Sequence, residues 1–230
     1  MSDKLIWITD EKLYAICENI VNKARAGISN DVNFKNIVDP FSALFDVIIN
    51  DISFDDWLKN ENIRQSQKTL QNMIGTFHQQ IIGCVDGWQD LGVGDVIDLC
   101  NPTRQIIAEV KNKYNTVKGS DKVGIFDNLA AVLNIKYRGY TGYYVTILAK
   151  GKIDKPFIAS DNKTGGRRPT NENIREIDGA SFYELATGSK TALFDLYSVL
   201  PDILADITGV NSEKVISNPW FKELFIKAVK

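Results

Sequence analysis

Residues 141–149, TGYYVTILA, are rich in β-branched and aromatic side chains, a composition that fits a pleated, half-buried strand. The middle of the chain must therefore build a sheet. Two further strands precede this one: DVIDL at 95–99 and RQIIAEVK at 104–111. The Asn101-Pro102 turn joins them as a hairpin. NIREI at 173–177 is a short fourth strand. Between the hairpin and 141 lies a helix over about 119–135.

Helices occupy both flanks. Thr9 or Asp10 caps a first helix, with Leu13, Ile16, Cys17, Ile20 and Val21 at helical spacing. Asp39-Pro40 opens a second, carrying Phe41, Leu44, Phe45 and Ile48. A third runs from about Asp56 to Cys84, with Leu70, Met73, Ile74, Phe77 and Ile81 on one stripe. Gly83, Gly87, Gly92 and Gly94 then break the pattern. Helices at about 180–187, 189–206 and 211–228 close the chain, with Pro201 interrupting or kinking one of them. The expected architecture is α/β (α+β), a central mixed sheet flanked by helices. We expect residues 1–230 to form one domain: a mainly helical part at 1–90, a sheet at 91–178 and C-terminal helices at 179–230.

Composition excludes several classes. No run of about 18 apolar residues exists, so no membrane partner is expected. Residues 1–10 lack the basic region and long apolar core of a signal peptide, which points to the cytoplasm. Cys17, Cys84 and Cys100 form no CxxC pair, so neither a disulfide framework nor a structural zinc site is expected. The net charge is −2, which argues against a general nucleic-acid coat protein. Basic residues nevertheless cluster locally. The stretch 150–168 holds six basic side chains against two Asp, and 104–122 adds Arg104, Lys111, Lys113, Lys118 and Lys122. A local basic face binds phosphate whatever the net charge.

The chemistry concentrates at Asp98, Glu109 and Lys111. Glu109 and Lys111 are two apart on a strand and share a face, while Val110 points into the core. Asp98 lies on the neighbouring strand, at hairpin distance. Asp95 is an odd number of positions away and faces the other side. Two carboxylates and a lysine then converge at one end of the hairpin. Asp98, Glu109 and the main-chain carbonyl of Val110 form an oxygen set suited to Mg²⁺, with Mn²⁺ as a substitute. Such a metal polarises a phosphodiester and acidifies a bound water. Lys111 orients or deprotonates that water, or stabilises the developing charge. A cation beside it would depress its pKa.

Other positions are weaker. His78 is the sole histidine and sits on an apolar helical stripe, as a structural residue; His78 and Gln79 could also border the active site. Asn112, Lys113, Asn115 and Lys118 directly follow the catalytic strand and suit phosphate contacts. Arg167, Arg168, Asn173 and Arg175 are candidates for reading DNA. One of Tyr143 and Tyr144 is expected in the core, the other at the surface.

This pattern resembles the PD-(D/E)xK nuclease superfamily. More narrowly, the chain resembles type II restriction endonucleases of the branch that cuts GGNCC. The likeness spans WITDEKLY at 7–14, GTFHQ at 75–79, Gly87-Trp88, EVKNKYNT at 109–116, TNENIR at 170–175 and FYELATG at 182–188. The Pro of the superfamily pattern is absent, since Ile97 precedes Asp98. The resemblance implies catalytic roles for Asp98, Glu109 and Lys111. It also implies a homodimer on a pseudo-palindromic duplex, each subunit cutting one strand, and a companion cytosine methyltransferase. Cutters of GCNGC are close enough to remain an alternative, as does a structure-selective repair nuclease. A DNA-binding protein without cleavage is the alternative from another class.

Overall fold

The computed structural model describes residues 3–26, 38–92, 94, 96–114, 118–160 and 166–229. Helix α1 spans Asp10–Ala26, and its spacing of Leu13, Cys17 and Ile20 makes one buried stripe. Asp39 starts α2, Pro40–Asn50, by accepting the Phe41 N–H at 3.0 Å. Ser53 starts α3, Phe54–Gly83, by accepting the Asp56 N–H at 3.1 Å. Phe77 and Ile81 of the expected α3 stripe are buried, but Leu70 remains 40% exposed.

The sheet has six strands: β1 (Gln89–Asp90), β2 (Leu99–Asn101), β3 (Ile106–Lys113), β4 (Thr141–Leu148), β5 (Asp154–Pro156) and β6 (Ile174–Asp178). Their order is β1-β2-β3-β4-β6-β5. Helix α4, Gly119–Ile135, carries the chain from β3 to β4, which pair in parallel. The β4–β6 pair is also parallel, whereas β1–β2, β2–β3 and β5–β6 are antiparallel. The sheet is mixed, as expected. Its period-2 alternation feeds two cores. Ala108, Val110, Val145 and Ile177 pack towards α1, α3, α5 (Gly179–Thr187) and α6 (Ala192–Thr208). Ile107, Tyr144 and Ile174 pack with Phe126 and Leu129 of α4.

Helix α5 lies very close to β4. A Cβ added at Gly179 would stand 2.7 Å from Ile147 Cα, so only glycine permits this approach. Among the described residues no helix is long and apolar enough to cross a membrane. All three cysteines are free.

Three expectations need correction. The strand placed at 95–99 is Leu99–Asn101 instead, and the turn occupies 102–105, with Gln105 at φ +52°. Asp95 lies outside the described residues. Tyr143 and Tyr144 are both buried, on opposite faces of the sheet. The helix placed at 211–228 is two helices, α7 (Glu213–Ile216) and α8 (Pro219–Ala228), divided where Asn218 accepts the Trp220 N–H at 3.0 Å and Pro219 sets the first turn. Pro201 lies inside α6, which runs on past it to Thr208.

Candidate active site

Strand β2 pairs with β3 only as far as Leu99 opposite Ala108. Beyond that point the chain bends away and Asp98 takes over the edge of β3. Its N–H donates to the Ala108 carbonyl at 3.0 Å. Its carboxylate accepts the Val110 N–H at 2.7 Å. A side-chain oxygen thus stands where a ladder carbonyl would. This is why the regular strand starts later than alternation suggests, and it sets Asp98 beside Glu109. In a strand the N–H and C=O of one residue point to the same neighbour. The Val110 carbonyl therefore faces the Asp98 side too, while its side chain is buried in the core.

Glu109 and Lys111 share the other face of β3, joined by a 2.6 Å contact between Nζ and Oε1. The Glu109 side chain is 16% exposed and that of Lys111 36%. Burial pushes both carboxyls above their ordinary values, and for Glu109 the Asp98 charge adds to the effect. The Val110 N–H and Lys111 partly offset this at Asp98. Burial works to lower the Lys111 pKa, but Glu109 and Asp98 outweigh it and hold the lysine above its usual value. A depressed lysine is therefore not a property of the cation-free site. The pair of carboxyls is crowded and poorly hydrated, an arrangement that a divalent cation relieves. Two carboxylates, one main-chain carbonyl and water suit Mg²⁺, which keeps several waters when bound. Among the described residues no group of three or more acidic, His or Cys side chains gathers, so the donor set remains this sparse.

A cleft of about 400 Å³ opens over this set. One wall is Asp98, Val110, Lys111, Asn112 and Lys113. The other is α3, through Gln71, Asn72, Gly75, Thr76 and Gln79. Their spacing of three and four puts these helical residues on one face. At Gly75 a Cβ would meet nothing within 4 Å, so the missing side chain leaves space rather than relieving a clash. Of this polar face only Gln79 was anticipated in the sequence; Gln71, Asn72, Gly75 and Thr76 were not, although their spacing is visible there. Asp90, read from the sequence as a turn residue, accepts from Gln79 Nε2 at 2.6 Å, and its charge raises the Asp98 pKa.

The other anticipated residues are dispersed. Gln79 is buried at the cleft. His78 lies in the aromatic packing behind it, with Nδ1 at 2.8 Å from the Tyr183 hydroxyl and its pKa pushed down to about 4 by burial. Asn112 and Lys113 line the cleft. Exposed Lys118 precedes α4, and Asn115 lies outside the described residues. Arg168 makes a two-pronged contact with Asp127 of α4, at 2.8 and 2.7 Å. Arg175 does the same with Asp154 Oδ1, at 3.0 and 2.8 Å. Exposed Arg167 bridges to Ser160. Asn173 lines a separate cleft of about 380 Å³ with Arg138 and Asn171, at the amino end of β4.

Residues 5–209 match the model of the Eco47II restriction endonuclease family. The chain belongs to this family. It is 43% identical over 204 residues to the type II restriction enzyme Eco47II of Escherichia coli, covering 86% of this chain and 85% of that one. It is 34% identical over 233 residues to the type II restriction enzyme Sau96I of Staphylococcus aureus, covering 97% and 89% respectively. The activity is that of a type II restriction endonuclease, a site-specific deoxyribonuclease acting on double-stranded DNA. Family members of this kind use divalent metal ions.

Proposed function

We propose that this restriction endonuclease cleaves GGNCC sites in duplex DNA with Mg²⁺, through Asp98, Glu109 and Lys111 on a PD-(D/E)xK core. The observation that carries the catalytic assignment is the meeting of these three side chains at the uncovered edge of β3. The specificity rests on the sequence resemblance.

Asp98, Glu109 and the Val110 carbonyl would hold the cation, which would supply polarisation of the phosphate and a more acidic water. Lys111 faces the cleft as an ammonium in the cation-free site, so its first role is to stabilise charge on the scissile phosphate. A cation between the carboxylates would lower the Lys111 pKa, and Lys111 would then be suited to the second role, accepting a proton from the attacking water. Water oxygen bonds to phosphorus, the bond to the leaving oxygen breaks, and that oxygen takes up a proton. Asn112 and Lys113 hold the adjoining backbone. Arg167, Arg168, Asn173 and Arg175 are proposed to read or position the duplex, Arg168 and Arg175 by exchanging their carboxylate partners for DNA.

One such site per chain cuts one strand, so a homodimer matches a pseudo-palindromic target. The chain acts as one endonuclease domain in the cytoplasm, with a cytosine methyltransferase protecting the host sites. Digestion of phage DNA followed by sequencing of the fragment ends tests the specificity. Ends at GGNCC are expected. Ends at GCNGC, or a smear, contradict it.

A further inference from the structure

We propose that a second cleft, at the carboxyl ends of β3 and β4, is a groove for the DNA phosphate backbone beside the scissile position. The cleft measures about 480 Å³. Three lysines from three separate elements meet there: Lys113 at the end of β3, Lys150 just after β4 and Lys227 in the last turn of α8. Its floor is Leu148, Ala149 and Gly151, and Leu148 lies directly opposite Lys113 in the sheet register. Tyr114, half exposed, forms a side wall.

Lys113 lines both this cleft and the catalytic one. The two clefts therefore adjoin at this lysine. Lys111 and Lys113 stand on the same face of β3, about 7 Å apart along the strand. One DNA strand carries a phosphate every ~3.4 Å of helix axis. A backbone engaged at Lys111 thus passes Lys113 within a few phosphates and continues towards Lys150 and Lys227.

The chemistry of the cleft selects a phosphodiester over other ligands. Its cations are lysines, which act as point charges on phosphate rather than as forks that read guanine. The contact is then independent of base sequence. The cleft is open to solvent, unlike the enclosed pocket that buries most of a small organic ligand. Lys227 already pairs with Glu223 at 2.6 Å and lies 4.7 Å from the centre of the Trp220 ring. Both members of that pair are about half exposed, and such pairs are weak in water. A phosphate displaces Glu223 at little cost, while the Trp220 ring keeps the ammonium at the rim.

The test rests on duplex DNA being the substrate. It measures the affinity of the full chain for a cognate duplex between about 50 and 200 mM salt, with Ca²⁺ in place of Mg²⁺. The double variant Lys150→Ala/Lys227→Ala is compared with wild type and with Lys4→Ala/Lys23→Ala, which removes the same charge from residues that do not line the cleft. Two lost phosphate contacts reduce the slope of log affinity against log salt by about 1.8. Affinity in the middle of the range falls at least about tenfold. In Mg²⁺, KM rises while kcat stays within about twofold. A slope equal to wild type, or a loss no larger than that of the Lys4/Lys23 variant, overturns the groove. If wild type itself shows no duplex affinity, the reading of DNA as substrate fails with it; if wild type binds and cuts and the double variant does so equally, the groove alone fails.

Discussion

The carboxylate of Asp98 accepts the main-chain N–H of Val110 at 2.7 Å, so one side chain both ends a strand pairing and stands beside Glu109. The two roles separate by substitution. Asp98→Asn keeps an oxygen for the Val110 N–H and should retain the fold, yet lose about 10³-fold in cleavage rate. Asp98→Ala should lose the same activity and a further ~1–3 kcal/mol of stability, because the N–H is left without its partner. Single-turnover cleavage and urea unfolding on both variants check this. Equal stability of the two would show that the bond is not structural.

Burial, with Asp98 as neighbour, pushes the Glu109 carboxyl up. A group whose folded pKa is raised disfavours its own ionised form, so Glu109 costs stability at neutral pH. Glu109→Gln should therefore melt at a higher temperature than wild type in EDTA, by a few degrees. Adding Mg²⁺ or Ca²⁺ should raise the wild-type melting temperature and leave Glu109→Gln unmoved. Thermal melts with and without the ion decide. An equal metal shift in both proteins would remove Glu109 from the metal site.

His78 supplies a pH dependence of known sign. Burial lowers its pKa from 6.5 to about 4. The folded state thus holds the neutral ring, and stability is complete above about pH 6.5. It is lost as pH falls from there towards about 4, by up to ~3 kcal/mol. Replacing His78 by Gln should flatten the stability curve in that window. Urea midpoints at pH 7 and 5 measure it, and an unchanged slope would assign the acid sensitivity to other groups.

Much of this was legible in the sequence, for identifiable reasons. The pairing of Glu109 and Lys111 on one face, and Val110 in the core, follows from strand periodicity, which tertiary structure did not override. The bend at Asp98 was not legible, because a side chain substitutes there for a backbone acceptor and alternation carries no trace of that. The ion pairs of Arg168 with Asp127 and Arg175 with Asp154 join residues 41 and 21 positions apart, which no local pattern reveals. The polar face at Gln71, Asn72, Thr76 and Gln79 was visible as spacing, but it looks identical to a solvated helix surface until the sheet lies opposite. By contrast, the break before α8 was written plainly in Asn218-Pro219, a cap and first-turn pair.

Gly179 tests the packing that carries the sheet. A methyl group there would collide with the backbone of Ile147, and adding volume at a packed contact costs ~1–3 kcal/mol. Gly179→Ala should lower the melting temperature by about 2–12 °C. Calorimetry reads this directly, and an unchanged melting temperature would mean that α5 shifts freely against β4.

The central claim is that Asp98, Glu109 and Lys111 together form the catalytic site. Lys111→Ala tests it most directly, with plasmid cleavage in Mg²⁺ measured beside duplex affinity in Ca²⁺. Wild type should yield discrete fragments that vanish with EDTA. Lys111→Ala should bind the duplex within about tenfold of wild type yet cleave at least about 10²-fold more slowly. A variant that gives the same fragments at the wild-type rate would contradict the account.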